Sequence, residues 1–225
     1  MVASISFTFD DGRSCQVTPA SRVLDEFGMN GTFYVCPGLA REERWGWRPG
    51  NTVYELASWE EIVDAGARGH EIGNHSWSHP DLRTVTRGKK PKWLSEFAQR
   101  EIVAPAEEIN KRIPEQGKCS WAWPCHGVAE PVFEWIDEYH VGARPTTSRC
   151  SYSGKQRELE HLRKANAFAD ILAKTNRWGV AIIHDIGEGK WKFSYDIFRR
   201  HLEYVSKVRG LEVKTVMEVF SGARS

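Results

Sequence analysis

The chain has 225 residues and carries 31 Lys and Arg side chains against 30 Asp and Glu side chains, a formal net charge of +1. This balance argues against a protein that binds nucleic acid or a membrane surface by electrostatic attraction. The hydrophobic fraction of 40% indicates a packed core rather than disorder, and no segment approaches the ~18 to 20 consecutive apolar residues of a membrane span.

Strand-like and helix-like patterns alternate from one end of the chain to the other. Thr18 is a candidate N-cap for the first helix, with Pro19 at its first helical position. Ser58 and Glu61 form the S-x-x-E pattern of a capping box, and Pro105 predicts a kink in a long helix. In chain order the predicted elements are strand Ser4–Phe9, helix Thr18–Phe27, strand Thr32–Cys36, a helix from Ser58 to Gly66–Gly69, strand His70–His75, helix Trp93–Ile113, strand Cys119–Trp123, helix Pro131–Tyr139, strand His140–Ala143, helix Lys155–Asn176, strand Val180–Ile183, helix Tyr195–Val208 and strand Leu211–Val216.

This alternation predicts an α/β protein with a mainly parallel sheet, either open or closed into a barrel. In such folds the chemistry lies at the C-terminal ends of the strands. No internal repeat or linker divides the sequence, so we expect one domain over residues 1–225.

The cysteines and the N-terminus indicate the compartment. The five cysteines form no CxxC or metal-knuckle pattern, and we expect reduced thiols. Met1–Ser4 leads into the first strand without the basic and apolar regions of a signal peptide. We therefore expect a cytoplasmic protein, or a secreted one if a leader has been removed.

Two adjacent carboxylates, Asp10 and Asp11, follow the first predicted strand, where Gly12 breaks it. An Asp-Gly pair is common in turns, so the pattern alone also fits a purely structural turn. Neighbouring residues on an extended chain point in opposite directions, so we expect different roles for the two carboxylates. The residues by themselves leave open which carboxylate binds a metal.

Histidines follow two further predicted strands. His75 and His79 lie four residues apart and can share a metal if the intervening loop brings them together. His184 ends the apolar strand Val180–Ile183. Two histidines and one carboxylate form a three-ligand site with open positions, which is typical of a catalytic metal. A second carboxylate can then accept a proton from water, and a separate imidazole can protonate a leaving group.

Several motifs together resemble the polysaccharide deacetylase family, the NodB-homology domain of carbohydrate esterase family 4. They are TFDDG at Thr8–Gly12, GTFYV at Gly31–Val35, GHEIGNHSWSHPDL at Gly69–Leu82, and the strand-end His184. The resemblance implies a distorted (β/α) barrel with about seven parallel strands. It also implies hydrolysis of an acetyl group from a carbohydrate, usually N-acetyl on glucosamine and sometimes O-acetyl on xylan. The expected partner is an acetylated oligo- or polysaccharide, with no nucleic acid and no membrane span.

The resemblance also assigns roles to individual residues. Asp11, His75 and His79 match the family's metal ligands, and the metal is most often zinc. Asp10 matches the catalytic base, and His184 matches the catalytic acid.

Two motifs of the family are altered in this sequence. The third motif usually carries an Arg that orients the base Asp, but Trp121–Gly127 (WAWPCHG) has none. The fourth motif, an Asp and Trp pair that supports the acid His, is missing from the region around Gly142–Thr146. We therefore hypothesise that Arg144 replaces the missing Arg as the partner of Asp10.

Five residues are predicted to bind substrate or to line its pocket: Trp77, Trp123, Cys125, His126 and Arg144. Flat indole rings suit stacking on sugar faces. The sequence has 10 Trp, of which six lie in or beside loops or motif segments: Trp45, Trp47, Trp77, Trp121, Trp123 and Trp191.

Four alternatives remain open from the residues alone. An amidohydrolase of the same fold could act on a small non-glycan amide or cyclic ureide. A non-heme iron oxygenase uses the same donor set of two histidines and one carboxylate. A glycan-binding module could retain the fold without catalysis, and Cys125 beside His126 could act as a thiol nucleophile.

Overall fold

The computed structural model describes residues 2–40, 45–47, 53–146, 149–151, 158–184, 186–187 and 193–222. Six strands form a parallel sheet, and two more form an antiparallel pair. The strands are β1 (Ala3–Phe9), β2 (Thr32–Val35), β3 (Trp45–Trp47), β4 (Tyr54–Leu56), β5 (Glu71–Asn74), β6 (Arg149–Ser151), β7 (Trp178–Ile183) and β8 (Leu211–Val213).

Strand β1 is the centre of the parallel sheet, whose order is β5-β2-β1-β7-β6. It pairs with β7 along most of its length, from Ser4 opposite Trp178 to Phe9 opposite Ile183. On its other edge, β8 pairs with the beginning of β1 and β2 pairs with the end. The predicted α/β class with a parallel sheet is therefore confirmed.

Two of the predicted strands, Cys119–Trp123 and His140–Ala143, contribute only isolated bridges to the sheet. Trp121 forms parallel bridges to Asn74 on one side and to Ala143 on the other. These bridges continue the sheet beyond β5, but the pairing does not extend along the segments because Pro124 starts a tight turn. Strand β6, in contrast, was not predicted from the sequence.

The helices pack outside the sheet. They are α1 (Ser21–Asp25), α2 (Trp59–Ala67), α3 (Leu82–Val85), α4 (Pro91–Ala98), α5 (Ala104–Arg112), α6 (Phe133–Tyr139), α7 (Glu158–Thr175), α8 (Tyr195–Val205) and α9 (Val216–Gly222). The capping box predicted at Ser58 and Glu61 is present at the start of α2. None of the described helices combines the length and apolar character that a membrane span requires.

The prediction for the first helix was wrong at its N-terminus. The helical turns begin at Ser14, and a wide π-type turn, Gln16–Ala20, leads into α1. Pro19 therefore lies inside the helix, and the Thr18 side chain donates to Glu61 Oε1 at 2.8 Å instead of capping. The wide turn accommodates the missing N–H of a proline, which a regular helix does not.

A second π-type turn explains how the long helical segment continues past Pro105. Helix α4, the turn Gln99–Val103 and α5 run without interruption. The turn ends at Val103, directly before α5, and Pro105, where a kink was predicted, lies in the first turn of α5. The wide turn accommodates the hydrogen bond that the proline cannot donate.

The last predicted strand, Leu211–Val216, ends early. Strand β8 stops at Val213, and Thr215 and Glu218 form a reciprocal cap in which each backbone N–H donates to the other's side chain. This T-x-x-E pattern starts α9.

The main hydrophobic core lies between the sheet and the helices. Phe9 stacks on Phe33 at 4.7 Å, and Phe198 of α8 meets the edges of Phe7 and Phe9. The four cysteines whose side chains are described (Cys15, Cys36, Cys119 and Cys125) are free thiols.

Candidate active site and metal centre

The predicted metal ligands meet where β1 and β5 end. Asp11 Oδ1 lies 3.3 Å from His79 Nε2 and 3.7 Å from His75 Nε2. In the described part of the chain these three residues are the only group of three or more His, Cys, Asp or Glu side chains close enough to share an ion, with donor atoms within 4.8 Å of one another. One carboxylate oxygen and two imidazole nitrogens form a donor set that fits a divalent transition-metal ion.

The ring of His75 is oriented by the backbone. Its Nδ1 lies 2.9 Å from the carbonyl oxygen of Ala122. A carbonyl can only accept, so Nδ1 carries the proton and Nε2 keeps its lone pair for a metal. Burial lowers the pKa of His75 to about 4, which keeps the ring in its neutral, ligating form.

The loop between the two histidines is tied to the protein at several points. Ser76 Oγ accepts a hydrogen bond from the His79 N–H at 2.9 Å. The Ser78 N–H donates to the buried carboxylate of Glu101 at 3.0 Å, and the Ser78 hydroxyl donates to the same group. These contacts hold the loop in a shape that brings His75 and His79 together, whereas an extended chain would separate them.

Asp10 is buried beside the metal ligands and pairs with Arg144. The guanidinium donates through Nη1 to Oδ1 at 2.5 Å and through Nη2 to Oδ2 at 2.7 Å. Arg144 Nη1 also donates to Thr8 Oγ1 at 2.9 Å, and its Cζ lies 4.8 Å from the centre of the Tyr34 ring. The predicted contact between Arg144 and Asp10 is therefore present, as a planar, two-pronged ion pair.

The charge on Asp10 is stabilised by that pair. Burial raises the pKa of Asp10, but the charge and hydrogen bonds of Arg144 outweigh burial and hold the pKa well below its usual range. Asp10 is consequently ionised and able to accept a proton. His184 Nε2 lies 3.6 Å from Asp10 Oδ2, so the predicted base and acid face the same space.

A cleft of about 260 Å³ joins these groups. It is lined by Asp10, Asp11, Arg13, His75, His79, Trp123, Cys125, His126 and His184. Three of the predicted substrate-contacting residues, Trp123, Cys125 and His126, lie at its wall.

Two predicted substrate contacts lie elsewhere. Trp77 is half-buried against Gly38, where an added Cβ would lie 2.3 Å from the indole nitrogen, and it does not line the cleft. Arg144 is buried behind Asp10, so it supports the base rather than touching substrate. The side chains of Trp45 and Trp47, and all of Trp191, lie outside the described residues.

The backbone around the cleft is strained. Six described residues other than glycine have a positive φ, and five belong to the site: Asp11, Ser76, His79, Cys125 and His126. Such conformations cost about 1–3 kcal/mol each and persist where the surrounding structure enforces them. Their concentration here indicates that the cleft is built for function rather than for stability.

The thiol of Cys125 is a poor candidate nucleophile. Burial and the nearby carboxylates of Asp81 and Asp11 raise its pKa, whereas a reactive cysteine needs a lowered one. The His126 N–H donates to the Trp123 carbonyl at 3.1 Å. Cys125 itself lines the cleft, so its backbone N–H is a candidate donor there.

Several residues of the site were not predicted from the sequence. Arg13 donates to Asp11 Oδ2 at 2.7 Å, and Gln16 Nε2 donates to the His184 carbonyl at 2.7 Å. Glu101 anchors the histidine loop. Arg13 carried a usable signal, because it is a cation two residues after the metal ligand Asp11, whereas nothing near Glu101 in the sequence points to His75 or His79.

Comparisons with known proteins agree with this geometry. The model of the family described as polysaccharide deacetylase matches residues 2–139. A chitooligosaccharide deacetylase of Azorhizobium caulinodans is 26% identical over 193 residues, which are 81% of this chain and 74% of the relative. A chitin deacetylase of Pestalotiopsis sp is 32% identical over 82 residues, which are 36% of this chain but only 24% of the relative.

A solved structure has the same fold. PdaA of Bacillus subtilis, described as a family 4 carbohydrate esterase, superposes with a TM-score of 0.63 and 17% identity, covering 100% of this chain and 82% of that one. The family match spans more than half of the chain and includes Asp10, Asp11, His75 and His79. The chain therefore belongs to the polysaccharide deacetylase family.

Proposed function

We propose that this chain is a metal-dependent hydrolase that removes acetyl groups, most often N-acetyl, from a carbohydrate and releases acetate. The observation that carries the proposal is the convergence of three components in one cleft. They are a three-residue metal donor set, an ionised carboxylate held by Arg144, and the imidazole of His184.

The residues divide the chemistry of amide hydrolysis among them. Asp11, His75 and His79 would hold a divalent ion, most often zinc, which supplies Lewis acidity for activating water and polarising the acetyl carbonyl. Asp10 accepts the proton of the attacking water. His184 then donates a proton to the departing nitrogen.

Charge that develops on the acetyl oxygen needs a donor from the protein. The backbone N–H of Cys125, a residue that lines the cleft, is the candidate for this role, which requires no particular side chain. The positive φ of 54° at Cys125 shows that the turn is held in an unusual conformation.

A neutral acetylated sugar is the substrate class that the whole chain fits best. The net charge is +1, so the protein carries no strong field for steering a charged substrate. The relatives named above act on chitin and chitooligosaccharides according to their names, which supports an N-acetylglucosamine unit. A cytoplasmic location and a single domain over residues 1–225 stay predictions from the sequence.

The test gives the zinc-loaded protein three substrate classes. It measures acetate release from N-acetylated chitooligosaccharides and O-acetylated xylooligosaccharides, and ring opening of cyclic ureides. We expect release from the chitooligosaccharides, and loss of it in Asp11→Asn. Ring opening of ureides without acetate release would instead establish the amidohydrolase alternative. Binding of oligosaccharides without any hydrolysis would establish a glycan-binding module.

A further inference from the structure

Arg13 divides the two oxygens of Asp11 between different partners. Its Nη2 donates to Oδ2 at 2.7 Å. The other oxygen, Oδ1, is the one near the imidazoles, 3.3 Å from His79 Nε2 and 3.7 Å from His75 Nε2. The carboxylate therefore presents one oxygen to the histidines while the second is held.

The guanidinium of Arg13 is itself held from two sides. Its Cζ lies 3.6 Å from the centre of the Tyr54 ring in β4, a close cation–π contact. The backbone of Arg13 forms an antiparallel bridge to Leu56, and its N–H donates to Gln16 Oε1 at 3.1 Å. The side chain is only 7% exposed, so it is a fixed part of the cleft wall and not a mobile surface cation.

We propose that Arg13 is a positioning residue of the metal centre: it retains Oδ2 of Asp11, so that Asp11 offers Oδ1 alone to the ion. This inference rests on the proposed function only for the assignment of Asp11, His75 and His79 as metal ligands. A carboxylate free to rotate can offer both oxygens and would occupy a position that water or substrate needs. Arg13 prevents that rotation.

Two effects of Arg13 oppose each other. The positive charge of Arg13 repels a metal cation. Its hydrogen bond, in contrast, fixes the carboxylate of Asp11 and supplies a donor to the buried Oδ2 atom. Hydrogen bonds that orient metal ligands commonly contribute about 10- to 100-fold in metal affinity. We expect orientation to outweigh repulsion, and the zinc affinity of Arg13→Met decides between the two effects.

The experiment measures binding of zinc alone, without substrate, by competition with a chromophoric chelator. Arg13→Met is expected to weaken zinc affinity by about 10-fold or more. Arg13→Lys is expected to recover part of the loss, because an ammonium group can still donate to Oδ2. The visible absorption of the cobalt-loaded protein should change in Arg13→Met, since the coordination by Asp11 changes, and a general loss of stability would not cause that change.

Two reference variants make the result decisive. Arg199→Met removes an exposed pair with Glu26 and should leave zinc affinity unchanged. Asp11→Asn should abolish tight binding, and if it does not, the proposed metal site itself fails.

Zinc binding by Arg13→Met that equals or exceeds that of the parent protein, with Asp11→Asn still defective, overturns the inference about Arg13. If Arg13→Met does not fold, Tyr54→Leu removes the ring that supports the guanidinium. It should weaken zinc binding by a smaller factor, and unchanged binding counts against the proposal.

Discussion

The two ends of β5 open into cavities of different character. Beyond its C-terminal end lies the cleft of about 260 Å³ that holds the candidate metal centre. At its N-terminal end a larger cavity of about 530 Å³ is lined by Val63, Gly66, Ala67, Gly69, His70, Arg112, Ile113, Glu115, Gln116 and Met217. The candidate catalytic and metal-binding residues line the smaller cavity.

Two polar side chains that line the larger cavity are hydrogen-bonded to partners outside its lining. His70 accepts a hydrogen bond from the Gly31 N–H at Nδ1, and its Nε2 meets Asp25 Oδ1 at 3.1 Å. Gln116 pairs with both backbone groups of Ile72, at 2.7 and 2.9 Å. In the cleft, by contrast, Asp11, His75 and His79 direct donor atoms at a common point. The contrast shows that the arrangement of donor atoms, and not the volume, identifies the site.

The largest expected effect is loss of activity in Asp10→Asn. Removing a general base lowers turnover by roughly 10²- to 10⁴-fold, and the amide keeps the shape of the side chain. The measurement is kcat for acetate release by the zinc-loaded protein. Glu115→Gln, in the larger cavity, is the matched control and should retain full activity. Equal turnover in Asp10→Asn and the parent would contradict the assignment of the base.

The second prediction compares two ion pairs by stability. Arg144→Met leaves the buried Asp10 charge without its partner and should lower the free energy of unfolding by about 3–5 kcal/mol. Arg199→Met breaks a half-exposed pair with Glu26 and should cost at most about 1 kcal/mol. Denaturant titration of both variants measures the difference.

A double variant provides the control for the buried pair. Asp10→Asn with Arg144→Met removes both charges, so it should be less destabilised than the sum of the two single changes. Strict additivity would show that the pair contributes no coupling.

The third prediction concerns acid stability at the opposite end of β5. Burial lowers the pKa of His70 to about 4 in the folded protein, whereas an unfolded His titrates near 6.5. The unfolded state therefore binds the proton first, and stability falls as the pH drops below about 6.5. This loss should reach about 2 kcal/mol between pH 7 and pH 5.

His70→Asn tests that origin of the acid sensitivity. It keeps an acceptor for the Gly31 N–H but does not titrate, so the zinc-loaded variant should show a shallower decline in unfolding free energy over the same pH range. An unchanged slope would assign the acid sensitivity to other groups.

The smallest expected effect is that of Gly66→Ala in α2. An added Cβ would lie 2.9 Å from the flexible Ile113 Cδ1, which faces the larger cavity and can move. Stability should change by less than about 1 kcal/mol, because alanine also favours the helix. Gly38→Ala, where the Cβ meets the Trp77 backbone oxygen at 2.5 Å, should destabilise by about 1–3 kcal/mol. Thermal unfolding of both variants would show whether the region near the cleft tolerates an added methyl group less well than the region near the larger cavity.

Local patterns predicted the parts of the fold that depend on neighbouring residues. Strand β1, the capping box of α2 and the strand before His75 all follow from short stretches of sequence. The start of the first helix and the end of β8 were misplaced because the sequence patterns at Pro19 and Thr215 are each compatible with two local structures. Proline can start a helix or lie in a wide turn, and a T-x-x-E pattern can follow a strand.

The metal ligands could be identified from their motifs, but Glu101, which anchors the loop between the two histidines, could not. Glu101 lies 23 positions from Ser78, which it holds. A buried glutamate in a helical segment has no local feature that distinguishes it from a solvent-exposed one. Trp77 was predicted to face a sugar, yet the positive φ of Ser76, 68°, belongs to a turn that places the indole against Gly38.

By itself the sequence determined the alternation of strands and helices, the residue types at the strand ends and the membership of the family. The sequence named Arg144 as a candidate partner of Asp10, but only the tertiary structure established the pair, because Arg144 lies 134 positions away and reaches Asp10 only through the order and register of the strands. Local propensities act over a few residues, whereas a buried ion pair depends on which strands lie side by side. For the same reason the structure alone shows that Arg144 lies behind the cleft and Arg13 lies at its wall.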